Sequence, residues 1–446
     1  MSVVEKVEDP RWKIREKCSD CIRGPNLIKT LVVIVCVGIV LQQIIASVQK
    51  MIDIPITTYT HFDFNKTLDY PSITVCKDPP YKYDKIKEYG LYGHPSITSE
   101  WIKFDFENNN LDEVWDNITF NANDIFVQYG LEGYAHNVEL IPVMGFNMGR
   151  CYTMSPKIVS KHVSQGTGYA MTMRHIAREV ETTVSIIPPG YHVYIHYTKE
   201  PFTEVRVYNG GMVEYLYLNV GETLRVKVTV DEYKMISSSD DPCINRFNYS
   251  ANECTTRYVW HLATEAVGCS GPWIESPLPR CNNYTTMRAL IVKYRNIFEA
   301  HNCTTCPRIC RSLLYNGFVT DRQKYYFWDS NTKLWSTANG AAALETHLYV
   351  NFNSMMVSVY EERYNYDWNL FVSDLGGSIG FLLGLSVIGL MQIFGKTWRY
   401  FIKPFIKCDK KSRSVSITSA TTADVKTIRQ EYIDTWNDNN TAFNKF

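Results

Sequence analysis

Two long apolar runs bracket the pattern of hydrophobic and polar positions along this chain. The first, Leu27 to Val48, follows a charged leader of nearly thirty residues and is interrupted by Gly38, Gln42 and Gln43. No small-residue cleavage site lies near its end, so the run reads as a retained membrane anchor rather than a secretory signal peptide. The second run, Trp368 to Phe394, exceeds the roughly 20 residues needed to cross a bilayer, yet it carries Asp374 and the small residues Ser373, Gly376, Gly377, Gly380, Gly384 and Ser386. Gly376, Gly380 and Gly384 recur every four residues, which stacks them on one helical face where neighbouring backbones can approach closely. An intramembrane carboxylate is costly unless it faces water or a partner. A plain anchor helix therefore does not account for this segment. Backbone inside a membrane leaves helical geometry only where protein or a water-filled cavity surrounds it, and Gly384-Leu385-Ser386 is where that is expected.

Between the two runs the pattern is mostly that of strands. Residues 192–196 and 223–230 alternate with a period of two, and Leu224, Val226, Val228 and Val230 form an inward face opposite Thr223, Arg225, Lys227 and Thr229. Asn209-Gly210 is a hairpin signal. A further alternating stretch, 345–362, leads directly into the second apolar run. Two stretches, Thr256 to Val267 and Thr286 to Ala300, read as helices.

Cysteines and charge fix the compartments. Nine of the thirteen cysteines and five Asn-x-Ser/Thr sequons (Asn65, Asn117, Asn248, Asn283 and Asn302) lie between the apolar runs, which points to an oxidising side and a disulfide-braced domain. Net charge is zero overall, but residues 1–30 and 394–446 together carry about +7. The positive-inside rule therefore makes both termini cytoplasmic. The 446 residues, 45% of them hydrophobic, suffice for a sizeable core.

Several local signals add little. Cys18 and Cys21 form a lone CxxC without a second pair at zinc spacing. The acidic, Asn-rich stretch Asp105 to Asp116 reads as a solvated peripheral face. His192 and His196 share a strand face with Tyr194 and read as structural residues, since no third metal ligand accompanies them. No Gly-x-Ser-x-Gly, His-Glu-x-x-His or phosphate-binding glycine loop is found, so nothing supports an enzyme.

The order of motifs is specific. Tyr70-Pro71-Ser72-Ile73-Thr74-Val75-Cys76 after the first span, Gly149-Arg150-Cys151-Tyr152-Thr153, the cluster Cys303-x-x-Cys306-Pro-x-x-Cys310, and Asp374 through Gly384-Leu385-Ser386 resemble the signatures of the degenerin / epithelial sodium channel / acid-sensing ion channel superfamily. The resemblance covers most of the chain and implies an invertebrate degenerin- or pickpocket-like member. It implies an α+β membrane protein in which two transmembrane helices flank a large, disulfide-braced, β-rich ectodomain with helical thumb and finger elements. The segments would be a cytoplasmic N-terminus 1–26, a first span 27–49, an ectodomain 50–367, a pore-lining span 368–394 and a cytoplasmic tail 395–446.

The same resemblance assigns roles. It places the selectivity filter at Gly384, Leu385 and Ser386, the gate and outer pore at Ser373, Asp374 and Gly377, and the amiloride-contact position at Gly380. Gly24 matches the glycine of a gating pair before the first span, but Arg23 stands where the family has histidine. The implied disulfides are Cys76–Cys151, Cys243–Cys310, Cys269–Cys281 and Cys254 with Cys306 or Cys303. Gln392 and Gly395 stand where the family usually has an acid below the filter or in the next turn. The implied function is a subunit of a plasma-membrane, trimeric, sodium-selective and amiloride-sensitive channel. It would be built with like or related subunits in membrane lipid, with permeant Na+ and no cofactor, and with no nucleic-acid partner. The alternatives are a non-conducting or modulatory subunit, or a two-span ligand-gated channel or receptor of another family. The stimulus is not written in the sequence.

Overall fold

A computed structural model describes residues 25–91, 93–164, 166–176, 189–205, 213–300, 305–324, 326–329, 334–337, 343–383, 391–392 and 395–396. Asn209-Gly210, Gly24, Cys303, Asn302 and the filter triplet Gly384-Leu385-Ser386 lie outside these residues. In chain order, helix α1 (Pro25–Ile52) precedes strands β1 (Ile56–Phe64) and β2 (Ser72–Asp78), then the short helix α2 (Leu111–Ile118). Strands β3 (Phe126–Leu131), β4 (Val138–Met144), β5 (Arg150–Pro156), β6 (Tyr169–Ile176), β7 (Gly190–His196), β8 (Glu214–Asn219) and β9 (Glu222–Lys234) follow. Helices α3 (Ala251–Val267) and α4 (Tyr284–Ala300), strands β10 (Arg311–Lys324) and β11 (Ala343–Tyr364), and helix α5 (Trp368–Leu383) complete the series.

The chain divides into two units, Met1–Asp53 with Tyr366–Phe446, and Ile54–Asn365. In the second unit, one sheet has the order β10-β9-β11-β6-β3, with β1 also paired to β11, and the other has the order β8-β7-β2-β5-β4. The alternation read in the sequence decides how they pack: Leu224, Val226, Val228 and Val230 of β9 are buried, while Arg225 and Lys227 are exposed. These side chains share one core with Ile73, Val75, Val193, Leu348 and Val350. Every residue of β2 is buried, as befits the central strand of its sheet. That burial includes Lys77, whose Nζ lies 3.8 Å from the centroid of the Phe120 ring, a cation on an aromatic face. β9 and β11 run parallel, whereas β1 and β11 run antiparallel from Ile56 opposite Tyr364 to Phe64 opposite Met356.

A second core joins α2, α3 and α4. Phe146 and Trp273 approach to 4.3 Å between ring centroids, and Trp115 and Trp273 to 5.3 Å. Here the acidic stretch keeps the solvated face expected for it, with Asp105, Glu107, Asp112, Glu113 and Asp116 all exposed, but its second half also buries an opposite face that was not expected. Leu111, Val114, Trp115 and Ile118 fall at i, i+3, i+4 and i+7 and are buried, and Asn110 caps the helix by accepting the Asp112 N–H at 3.0 Å. Only Asp112, Glu113, Asp116 and Asn117 on the other side of this helix stay exposed. α3 likewise starts earlier than Thr256, because Ser250 Oγ accepts the Glu253 N–H at 3.2 Å and the Glu200 carboxylate accepts the Ala251 and Asn252 N–H groups at 3.0 and 2.9 Å. α3 ends at Gly268, whose φ of 80° is the left-handed cap that favours glycine.

Among the described residues four disulfides brace this unit: Cys76–Cys151, Cys243–Cys310, Cys254–Cys306 and Cys269–Cys281. Of the two partners left open for Cys254, the bond is to Cys306. Asn65, Asn117, Asn248 and Asn283 are all exposed, as a glycan acceptor must be. Among the described residues no group of three or more His, Cys, Asp or Glu side chains has metal-binding geometry. His196 is instead a buried structural residue: its Nε2 accepts from Thr74 Oγ1 at 2.9 Å and its Nδ1–H donates to the Glu200 carbonyl at 3.0 Å, the tautomer this network requires. His192 Nδ1 meets the Tyr215 hydroxyl at 3.0 Å.

Candidate functional site

Four of the expected pore residues, Ser373, Asp374, Gly377 and Gly380, lie in α5. The helix starts where the Asp367 carboxylate accepts the Leu370 N–H at 2.8 Å, an N-terminal cap. Its two sides differ. Phe371, Leu375, Ser378 and Ile379, spaced at i, i+4, i+7 and i+8, are half-buried, as is Gly380, whereas Ser373, Asp374, Gly376 and Gly377 are exposed. On α1 the less exposed positions are Cys36, Val40, Ile44, Ser47 and Met51, again at steps of three and four. The two helices pack against each other, which leaves Ser373, Asp374, Gly376 and Gly377 uncovered by the chain's own helix. A Cβ added at Gly376 or Gly377 would meet nothing within 4 Å, so packing inside one chain does not require glycine at either place.

Asp374 has a partner the sequence did not suggest. The Tyr366 hydroxyl donates to Asp374 Oδ2 at 3.0 Å, and Lys50 Nζ at the end of α1 lies 5.7 Å from the Tyr366 ring centroid. Tyr366 thus links the carboxylate of one helix to the cationic end of the other. The signal that could have found it is the aromatic belt: Tyr and Trp gather at the membrane–water boundary, and Tyr366 and Trp368 stand at the start of the apolar run. One turn below, Ser378 Oγ donates to the Asp374 carbonyl at 2.7 Å, a bond back along the helix that tends to bend it.

Among the described residues, one helix is long and apolar enough to cross a membrane, over Leu31–Ile52. Such a helix in a chain whose β-rich unit is braced by disulfides fits the class of membrane-anchored proteins. The family then follows from residues 17–395, which match the profile described as "Amiloride-sensitive sodium channel". The chain belongs to the amiloride-sensitive sodium channel family, a family of membrane ion channels.

A curated relative, the degenerin-like protein asic-1 of Caenorhabditis elegans, is 21% identical over 454 residues, which cover 91% of this chain and 52% of that protein. The chain spans about half the length of that relative. Among solved structures, a cryo-EM structure of a proton-activated chloride channel matches with a TM-score of 0.34 at 9% identity, over 83% of this chain and 96% of the other. That likeness is too weak to bear on the fold.

Proposed function

We propose that this protein is a subunit of a trimeric, sodium-selective and amiloride-sensitive channel of the plasma membrane, with a second span over 368–394 and both termini in the cytoplasm. The observation that carries the reading is the two-sidedness of α5. The helix packs on α1, and its exposed side holds Ser373, Asp374, Gly376 and Gly377. A small-residue face in a membrane is a surface for close helix approach, and a cyclic assembly would bring three copies of it to one axis. Asp374 then supplies negative charge at the outer mouth, where it attracts cations. Below it, carbonyls and hydroxyls of Gly384-Leu385-Ser386 replace the hydration shell of Na+ in a narrow ring. Gly380 stands where amiloride would touch the wall. The ectodomain acts on the pore through β11, which ends three residues before α5 begins.

The test is whole-cell recording from cells expressing the full chain, alone and with related subunits. A sodium current blocked by amiloride is expected, with block weakened by Gly380→Val and the sodium-to-potassium permeability ratio changed by Ser386→Ala. Conducting Ser386→Ala channels with unaltered permeability would move selection away from the triplet. Gln392, where an acid is usual, favours a second reading. A chain that reaches the surface silent alone, but alters the current of a related subunit, is a modulatory subunit.

A further inference from the structure

Tyr366 is the middle one of the three residues that join β11 to α5. Connecting residues mostly run over the surface, yet Tyr366 is only 7% exposed. Its ring takes the Lys50 ammonium of α1 on one face, and its hydroxyl donates to the Asp374 carboxylate, eight residues further along. A residue of the joint thereby holds a side chain in the second turn of α5. What that bond does follows from where Asp374 stands. On a helix of about 3.6 residues per turn it lies about 100° around from Ser373 and about 60° from Gly377, on the border between the exposed small residues and the half-buried side of Phe371, Leu375 and Ser378.

A short carboxylate on that border can turn its charge to either side. The Tyr366 hydroxyl removes the choice by holding Oδ2, and no second hydrogen bond or ion pair to this carboxylate is present among the described residues. Asp374 nevertheless stays exposed, so its charge is held in place without being taken out of water. The type of donor matters as well. A phenol donates a hydrogen bond without bringing a charge, whereas a lysine or arginine in its place would cancel the field of the carboxylate. Lys50 makes no ion pair with Asp374 and is turned to the ring. We propose that Tyr366 is a positioning residue of the outer pore, a role that rests on the channel reading: it fixes the Asp374 charge where that charge draws sodium ions toward the filter.

Single-channel currents in outside-out patches are recorded over a range of external sodium, from the full chain or its combination with a related subunit, with surface amounts measured in parallel. A fixed charge at the mouth concentrates sodium most at low ionic strength, where the Debye length is about 30 Å at 0.01 M against about 10 Å at 0.1 M. Tyr366→Phe keeps the ring and removes the hydroxyl. Letting a unit charge swing from about 5 to about 10 Å from the ion path lowers the local sodium about twofold per subunit. Tyr366→Phe is therefore expected to raise the half-saturating sodium by about twofold or more, with the saturating current unchanged, and to add nothing once Asp374→Asn is present. A merely structural loss changes the number of channels at the surface and leaves the half-saturating sodium alone. If Tyr366→Phe fails to reach the surface, Asp374→Glu, which keeps the charge but carries it past the hydroxyl, is expected to show the same shift. Unshifted half-saturating sodium in conducting Tyr366→Phe channels, or in Asp374→Glu where that stands in for it, would overturn the proposal alone, as would additive shifts in the double mutant. A wild type silent in every combination would overturn the channel reading and the proposal with it.

Discussion

Removal of Cys76–Cys151 offers a calculable perturbation of the β-rich unit. The two cysteines sit directly opposite each other on the paired strands β2 and β5, are almost fully buried, and are 75 residues apart in sequence. Loop-closure entropy for that separation amounts to about 4.5 kcal/mol at 25 °C, against about 2.8 kcal/mol for Cys269–Cys281, whose separation is 12. A unit of this size unfolds with an entropy of about 0.6 kcal/mol per kelvin. Cys76→Ala with Cys151→Ala should therefore lower Tm by about 7 °C, and Cys269→Ala with Cys281→Ala by about 4 °C. All four cysteines are buried, so the cavity costs of the paired alanines offset one another and the difference between the pairs is the sharper quantity. The assay is thermal unfolding of full-length protein in detergent, followed by tryptophan fluorescence, with non-reducing peptide mapping to verify the bonds that remain. A loss from the short bridge equal to or larger than that from the long one would refute the loop-closure argument.

Three further outcomes are expected. Ser373 is exposed in the single chain, so Ser373→Val and Ser373→Phe should not harm its folding. In the assembled pore overpacking of about 1–3 kcal/mol would favour the open state by roughly 5–150-fold, and mutants at wild-type surface levels without added leak current would show that this face is not the gate. Burial holds His196 and His175 neutral, each lowered from 6.5 to about 4. An unfolded chain binds more protons than the native one between those values, so stability is full above pH 6.5 and falls as pH drops toward 4, by about 3 kcal/mol per histidine. A Tm measured from pH 7.5 to 4.5 should show that slope, to which His94, His192 and His347, also lowered by burial, add, and His196→Gln should flatten it; an unchanged slope would clear His196. Glu204→Ala leaves the Phe146 and Asn147 N–H groups, now bonded at 2.5 and 2.7 Å, without an acceptor, and should cost about 2–5 kcal/mol. Glu204→Gln, which keeps one oxygen, should cost less, and equal Tm values for both variants would contradict this.

How far the sequence could be read depended on whether neighbouring residues carried the information. The strand of Leu224, Val226, Val228 and Val230 was legible because each side chain's fate follows from its parity. The helix of Leu111, Val114, Trp115 and Ile118 was equally periodic, but its acidic neighbours drew the eye to solvent. The early start of α3 was hidden because Glu200, fifty residues away in sequence, completes its cap. The contact between Tyr366 and Asp374 depends on where a connecting turn places a ring, and the second core brings Trp115, Phe146 and Trp273 together from three separated segments. Neither leaves a local pattern. Gly380 and Ser373 could be placed on one helix from spacing alone, whereas the filter triplet rests on the family resemblance.

The pairing of β1 with β11 also governs how the protein is made. β1 emerges from the ribosome just after the first helix, but its partner is the last strand of the β-rich unit, so Ile56 must wait for Tyr364. β9 waits in the same way for its parallel neighbour β11 until α3 and α4 have been synthesised. Contacts so distant in sequence form slowly, and during that interval Phe62 and Phe64, with the open hydrogen-bonding edge of β1, have no strand beside them. Nascent chains are therefore exposed to mispairing with one another in the compartment where the disulfides form. Yield should depend on the supply of chaperones there more than on the final stability of the fold.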